Sequence, residues 1–388
     1  MKVCSPHLGL DPVSNAGGEV YERNLLRALA EQGVTVQVIL ARGKRHEQVP
    51  GWHMTYLPGR RPFRKVTSVL LFPPVIARLY ARDPFDLLRA HSVRFVGPLV
   101  LWARRRYGLP VPVVVHHHHL EAERGIWPAL ERQVLAASDL VIASSEHSRR
   151  VLVRRLGLDP SRIEAVPPGI DSVFAPGPPS SALKYRWGLE GKRVVFTLAK
   201  LVSRKDLDAL LEIFADLLKV TGDTVRLIIG GTGPQLGNLK VKARALGLEG
   251  FVLFPGFIPE AEKVDYYNLA DVFAFTSRLE GFGLVVGEAM SCRKPVVAFR
   301  TGPIPELVED GVTGLLVQPG DREGFVRCLV ELLCNDSRRM QLAGAARERI
   351  DRLFRWPRAA SAVRRLYEEV TRDRTRARRG VPWPRCSA

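Results

Sequence analysis

The run Ser277-Arg-Leu-Glu280-Gly-Phe-Gly-Leu-Val-Val-Gly-Glu288-Ala-Met sets two glutamates on either side of a glycine-rich turn. It reads as a loop entering a helix, with Glu280 in the loop and Glu288 about two turns further on, on a related face. A carboxylate accepts two hydrogen bonds from adjacent hydroxyls, so both side chains suit a polyol: a ribose diol for Glu288 and a sugar hydroxyl for Glu280. Gly281 and Gly283 allow close approach to the main chain, so the amides of Phe282, Gly283 and Leu284 can donate to sugar or phosphate oxygens. The plainer alternative is a helix-dipole partner followed by an exposed glutamate, and the spacing alone does not exclude it.

Such groups need a scaffold, and the hydrophobic pattern supplies one. Strands alternate with helical stretches in two series, the mark of doubly wound parallel sheets. In the first series a strand at Lys2-Cys4 leads to a loop holding Gly17-Gly18. A helix follows on Val20, Leu25, Leu26, Leu29 and Ala30, stopping at Gly33. Strands are expected at Val34-Leu40, Pro112-Val115 and Leu140-Ala143. A Pro/Gly-rich stretch over 171–179 reads as a linker between domains 1–170 and 180–355. The second series has strands at Val194-Leu198, Val225-Ile229, Val252-Phe254, Val272-Phe275 and Pro295-Ala298, and a helix over Asp206-Lys219. A last helix, within 356–372, is expected to cross back to the first domain. The tail from 373 is basic, and from Thr371 onward it carries six arginines against one aspartate and is expected to fray. The natural ligand site is a cleft between the two domains.

Bulk properties narrow the partners. The 388 residues suit two domains, and 46% hydrophobic with 25% charged residues is the composition of a folded protein. Five widely spaced cysteines without a CxxC pair form neither a disulfide framework nor a zinc site, so a reducing cytoplasm is expected. No secretory leader is expected from MKVCSPHLGLDP. The apolar run Val66-Ala81 is interrupted by Pro73-Pro74 and Arg78, which excludes a membrane span. A formal net charge of +18 attracts anions, whether nucleic acid, anionic membrane or phosphorylated substrate. Solvated arginine-rich surface is the equal alternative.

Taken together, the motifs resemble the family-4 retaining glycosyltransferases of the two-domain GT-B fold. Besides the Glu-x7-Glu string, Gly17-Gly18 before a helix resembles the family's N-terminal glycine loop. Asp86-Leu-Leu-Arg-Ala-His91-Ser is similar to its "DxxHxHS" strand end, and Ser138-Asp139-Leu-Val-Ile-Ala-Ser-Ser to "aDxvxavS". Val166-Pro-Pro-Gly169-Ile-Asp171 is similar to the "vPnGiD" hinge, and Ile228-Ile-Gly-Gly231-Thr-Gly233-Pro to the "GxGp" turn.

The resemblance implies two Rossmann-like domains, and a nucleotide-sugar donor on the second, bound by Gly17, Gly18, Gly231, Gly233 and the Glu280–Glu288 string. It implies Lys200 and Lys205 as the diphosphate clamp, doing the work of a metal ion, so that neither metal nor cofactor is expected. Lys200 stands where the family has arginine, which keeps the charge but loses the bidentate fork. Whether Arg204 compensates is left open, and an exposed basic helix start is the alternative. Ala199 and Asp206 replace the glycines that flank the pair, Arg293 the glycine of "EAMAxGxPVVA", and Pro303 the second glycine of a "GGxxE" turn. A family histidine near the donor sugar falls on His118, with His117 as the alternative. Adjacent residues of His116–His119 point to opposite sides of an extended chain, which argues against a metal site. Asp206-Leu-Asp208 imitates a metal-binding DxD but reads as a helix start.

The implied reaction is retaining hexosyl transfer from a UDP- or GDP-sugar to a hydroxyl acceptor, with His118, Glu280, Lys200 and Lys205 as the catalytic set. The acceptor would be a lipid-linked or cell-surface glycan precursor. Arg60-Arg61-Pro-Phe-Arg64-Lys65 before the apolar run, with Arg104-Arg106, fits a peripheral enzyme on the cytoplasmic membrane face. A solvated loop beside a core helix is the alternative. A catalytically impaired scaffold remains open and a sugar-nucleotide epimerase ranks lower. The glycine spacing argues against a dehydrogenase, and no recognisable module supports specific nucleic-acid binding.

Overall fold

The computed structural model describes residues 1–8, 10, 17–41, 49–58, 64–118 and 127–378. The chain divides into two compact units, Met1–Gly169 with Trp356–Ala388, and Ile170–Arg355.

Unit 1 is built on β1 (Lys2–His7), α1 (Gly17–Glu31), β2 (Thr35–Ala41), β3 (Trp52–Leu57), α2 (Arg64–Arg82), β4 (Leu87–Ala90) and α3 (Val96–Arg106). It continues through β5 (Val113–His117), α4 (Trp127–Ala137), β6 (Leu140–Ala143), α5 (Glu146–Leu156) and β7 (Ile163–Ala165). Its seven strands run parallel in the order β3-β2-β1-β4-β5-β6-β7. Parallel strands buried on both faces must alternate between two cores. Val3, Val114 and Ile142 pack with Leu25, Leu26 and Leu29 of α1, whereas Cys4, Val113, Val115 and Val141 pack with Phe72, Val100 and Val134 of α2, α3 and α4.

Unit 2 comprises α6 (Ser181–Trp187), β8 (Arg193–Leu198), α7 (Leu207–Thr221), β9 (Val225–Gly230), α8 (Leu236–Ala245), β10 (Val252–Gly256) and α9 (Lys263–Leu269). It continues with β11 (Val272–Phe275), α10 (Leu284–Ser291), β12 (Val296–Phe299), α11 (Ile304–Leu307), β13 (Leu315–Val317), α12 (Arg322–Cys334) and α13 (Asp336–Leu353). Six parallel strands take the order β10-β9-β8-β11-β12-β13. Val195, Leu227 and Val272 face α7 and α12, while Phe196, Ile228 and Phe273 face α9, α10 and α13. Each unit is thus an α/β Rossmann-like layer structure, the architecture of the GT-B fold. The final helix, α14 (Trp356–Arg378), belongs to unit 1, where Ala360, Val363 and Tyr367 are fully buried beside α1.

Several local expectations change. Pro73 and Pro74 lie inside α2, which continues through them from Arg64 to Arg82. Residues 171–179 form no regular element, yet Phe174 is buried in the core of unit 2 and Asn268 bonds both Ala175 and Gly177. That segment is therefore a packed strap of unit 2 rather than a free spacer. Gly17 and Gly18 are the first residues of α1 rather than part of the loop before it. The last helix reaches Arg378, beyond the expected fraying point at Thr371, and the remaining tail lies outside the described residues, as do Arg60 and Arg61.

Candidate functional site

In an open parallel sheet, ligands bind beyond the carboxyl ends of the strands where the strand order reverses. In unit 2 that point lies between β8 and β11. The loop after β8 carries Lys200, Arg204 and Lys205, and the loop after β11 carries Glu280. The two are stitched together: Thr276 donates to the Lys205 carbonyl at 3.1 Å, and the Arg278 amide to the Arg204 carbonyl at 2.9 Å. Lys205, only 9% exposed, is ion-paired with Glu280, which is 8% exposed. Arg204 Nη1 lies 3.8 Å from the other Glu280 oxygen and donates to the Leu279 carbonyl at 2.9 Å. One carboxylate and two cations therefore meet at the switch point. Lys200 stands apart from them, exposed and without an ion pair among the described residues.

Gly231 and Gly233 are demanded by this loop as much as by any ligand. A Cβ on Gly231, whose φ is +118°, would meet the Ala199 carbonyl oxygen at 1.8 Å, and one on Gly233 the Leu201 carbonyl oxygen at 2.3 Å. The glycine turn thus lies directly against the Lys200 loop.

The glutamate string differs from its expected geometry. Helix α10 begins at Leu284, so Glu288 is its fifth residue, just over one turn in, and Glu280 does not share a helix face with it. Gly283 caps α10 at φ +99° with no side-chain oxygen, which leaves first-turn amides such as that of Leu284 available as donors. The side chain of Phe282, whose amide is the expected donor, is turned into the core: the residue is 5% exposed, with its ring 5.7 Å from that of Phe354. Glu288 is 4% exposed and accepts from Tyr267 at 2.7 Å, with Lys263 at 3.8 Å. Burial raises its pKa, against the opposing pull of Lys263 and Tyr267.

Unit 1 reverses strand order between β1 and β4, and here too polar groups collect. Arg89 on β4 is fully buried and holds both carboxylate oxygens of Glu22 on α1. Its Nε donates to Tyr367 of α14 at 3.0 Å, and that hydroxyl lies 2.7 Å from His116 Nε2. His118 Nε2 lies 2.9 Å from Glu22, whereas His117 turns the other way to Glu131 of α4 at 2.6 Å. Alternation along the strand therefore puts His118, and not His117, with Glu22 and Arg89. His119 lies outside the described residues. Burial would raise the Glu22 pKa, but Arg89 and the bond from His118 hold it well below the usual carboxylate range. Beside an ionised carboxylate, His118 carries its proton on Nε2 and leaves Nδ1 an acceptor. His7, Glu22 and His91 bring ligating atoms within 4.8 Å of one another, but the guanidinium that already grips both Glu22 oxygens opposes a dication there. The sequence offered no signal for Glu22 or Tyr367, since their partners lie 67 and 278 residues away from them along the chain.

Two family models match in tandem: "Glycosyltransferase Family 4" over residues 16–174 and "Glycosyl transferases group 1" over residues 183–349. Among curated relatives, a D-inositol 3-phosphate glycosyltransferase of Xylanimonas cellulosilytica is 30% identical, the match covering 93% of each chain. A GDP-mannose-dependent alpha-(1-6)-phosphatidylinositol monomannoside mannosyltransferase of Mycolicibacterium smegmatis is 34% identical over 74% of this chain and 78% of that one. The chain belongs to the family-4 glycosyltransferases. Among solved structures, HepE of Anabaena in complex with UDP superposes with a TM-score of 0.79 at 20% identity, covering 95% of this chain and all of the other, a likeness in fold.

This family-4 glycosyltransferase has a glycine-like backbone at two positions where the resemblance led to the expectation of glycine. Asp206 and Arg293, both at positions where glycine is usual, are the two non-glycine residues with positive φ among those described, at 50° and 54°. Asp206 uses its side chain to bind Arg278 at 2.6 Å, and Asp208 lies 3.7 Å from Lys242, so the apparent DxD is spent on neighbours. Pro303 is the cap residue before α11, and the amide of Val308, the cap residue after it, donates to the Ile304 carbonyl.

Three histidines near the unit 1 switch point, His116 buried and His91 and His118 partly so, set an acid limit on this unit of the glycosyltransferase. Burial lowers the pKa of His91 to about 4 and that of His116 well below the ordinary value, and also lowers that of His118. The unfolded chain takes up these protons near an ordinary pKa of about 6.5, so the stabilisation is complete above that pH and is lost as pH falls through it toward the folded values. We expect the melting temperature to fall steadily between about pH 6.5 and 4, and His91→Gln to reduce the slope by up to about 1.4 kcal/mol per pH unit. Parallel melting curves for the variant and the parent would remove His91 from this account.

Proposed function

We propose that the chain is a retaining, metal-independent hexosyltransferase that moves the sugar of a UDP- or GDP-sugar to a hydroxyl of an inositol phosphate, free or lipid-borne. The observation that carries the reading is the meeting of Glu280, Lys205 and Arg204 at the strand-order reversal of unit 2. A diphosphate entering there exchanges one anion for another: the cations turn to phosphate and Glu280 is released to accept sugar hydroxyls. As the glycosidic bond breaks, negative charge grows on the departing diphosphate, and Lys205, Arg204 and the α10 amides are fixed to meet it. Lys200, exposed on the adjoining loop, adds a third charge as a point cation rather than a fork. Glu288 takes the ribose diol, its carboxylate oriented by Tyr267. His118 offers Nδ1 to a sugar hydroxyl, its tautomer set by Glu22. The acceptor hydroxyl attacks from the face the diphosphate leaves and gives its proton to that phosphate, so configuration is kept. The inositol phosphates in the names of both relatives support the acceptor class.

Glu280→Gln is expected to lower transfer about 10²–10³-fold while nucleotide binding survives. In a thermal-shift series of UDP, GDP, ADP and dTDP with EDTA present, one nucleotide at a hundred times its Kd stabilises by about 2.7 kcal/mol, and Glu288→Ala removes the effect. Unchanged turnover in Glu280→Gln, or a response that requires a divalent metal, would sink the mechanism.

The same reading extends to a peripheral site on the cytoplasmic membrane face. No described helix is long and apolar enough to cross a bilayer. In unit 1, Val66 and Leu70 of α2 are 59% and 66% exposed, Trp102 of α3 is 50% exposed, and Arg105 and Arg106 close α3, Arg104 being paired with Asp139. Apolar side chains beside a basic cluster suit an anionic surface. Flotation with phosphatidylserine vesicles should carry the chain at low salt, and Leu70→Glu with Trp102→Glu should reduce it at least tenfold. Equal flotation of the variant and parent would leave this face without a membrane role.

A further inference from the structure

The excess of positive charge is not confined to the switch points. A cavity of about 590 Å³ opens in unit 2 at the opposite edge of its sheet. Arg193 starts β8, Asp271 immediately precedes β11 and Pro295 immediately precedes β12, so this cavity lies at the amino ends of the strands while Glu280 and Lys205 lie beyond the carboxyl ends. Ligand pockets of this order of size are ordinary. The charge balance is not: six cations line the cavity against one carboxylate, Asp271.

Three of the six are neutralised by neighbours. Arg193 bridges Asp271 at 2.8 Å and Asp336 at 2.9 Å, Arg339 bonds Asp336 at 2.7 Å, and Lys192 pairs with Asp223 at 3.0 Å. The other three are not. Lys184 and Arg293 make no ion pair among the described residues, and Lys294 donates its ammonium to the Asn268 carbonyl at 3.0 Å. Burial lowers the Lys294 pKa, only partly offset by Asp271, the cost of an ammonium without its own carboxylate. Arg293 holds its backbone at φ +54°, which glycine would adopt without strain. Its neighbour in that respect, Asp206, uses its side chain on Arg278. Arg293, exposed, has no such partner among the described residues and is one of the residues that line the cavity. Leu189, Leu269 and Met340 complete the wall with apolar surface.

We infer that this cavity is a second anion site, taking a small soluble molecule that bears a phosphate or diphosphate group on a compact apolar or sugar body. Lys184, Arg293 and Lys294 bind the phosphate oxygens, and the apolar wall covers the remainder. The site is independent of the donor site: it uses different loops and opens at the other edge of the sheet, so its ligand is an effector rather than a reactant.

Calorimetric titration of the full chain with inorganic pyrophosphate at low salt tests this. Lys205→Ala combined with Arg204→Ala and Lys200→Ala should abolish binding at the carboxyl-edge site and leave one equivalent of pyrophosphate bound. Adding Arg293→Gly and Lys184→Ala to that variant should weaken the remaining equivalent at least tenfold. Arg293→Gly alone relieves the positive φ, so it tests the site without threatening the fold, and a severalfold loss is expected from it. Pyrophosphate binding that vanishes with the three carboxyl-edge substitutions, or that survives undiminished without Arg293 and Lys184, overturns the site. Neither result bears on whether the chain transfers sugar.

Discussion

A guanidinium with no access to water is tolerable only if each of its nitrogens finds an acceptor, and Arg89 imposes that demand on unit 1. Its fork fits Glu22 on both oxygens, its Nε reaches Tyr367 and its Nη1 lies 3.3 Å from Ser5. A single side chain on β4 thereby fixes the register of α1, the seating of α14 and the end of β1. The ionised Glu22 then decides the tautomer of His118, and the Tyr367 hydroxyl, already accepting from Arg89, is left to donate to His116. Removing one partner of such a pair costs about 3–5 kcal/mol, because the other is left charged and dry. That cost explains why residues as far apart as 22, 89, 118 and 367 are bound to one arrangement.

Unit 2 meets a similar demand at its strand-order reversal. Lys205 and Glu280 are each nearly buried and neutralise one another. The pairing keeps both side chains in place on loops stitched by Thr276 and the Arg278 amide. Under the proposed function the donor does not build this site; it exchanges partners within it. Charges positioned before the reaction need little reorganisation during it, which is how fixed electrostatics lower a barrier.

Much of this was legible in the sequence, for identifiable reasons. Buried parallel strands announce themselves as short apolar runs: Leu140–Ala143 and Val272–Phe275 have the expected bounds. Glycines at positive φ mark turns, so the stop at Gly33 was readable as well. β3, at the sheet edge, reads Trp-His-Met-Thr-Tyr-Leu with three partly exposed positions and carries no clear apolar run. The prolines of α2 suggested a break because local chemistry favours one, but packing of Phe72 and Ile76 in the core overrides it. The glutamate string was found, but its helix start was misplaced because Gly281 and Gly283 delay α10 by several residues. Of the unit 1 network only His118 was named as a site residue from the sequence; Glu22, Arg89 and Tyr367 share no local pattern with it and meet it only through the strand order and the packing of α1 and α14.

The glycine replacements bring these threads together. A backbone at positive φ costs a side chain about 1–2 kcal/mol, so a fold that retains it with aspartate or arginine must gain something from the side chain. At position 206 the return is internal: the Asp206–Arg278 bond ties the start of α7 to the loop that carries Glu280. At position 293 no internal return exists among the described residues, and the residue instead lines a cavity already rich in cations. Two side chains on similar backbones therefore serve different ends. Asp206 stiffens the site at the carboxyl edge of the sheet, and Arg293 adds charge at the amino edge, where the reaction itself has no use for it.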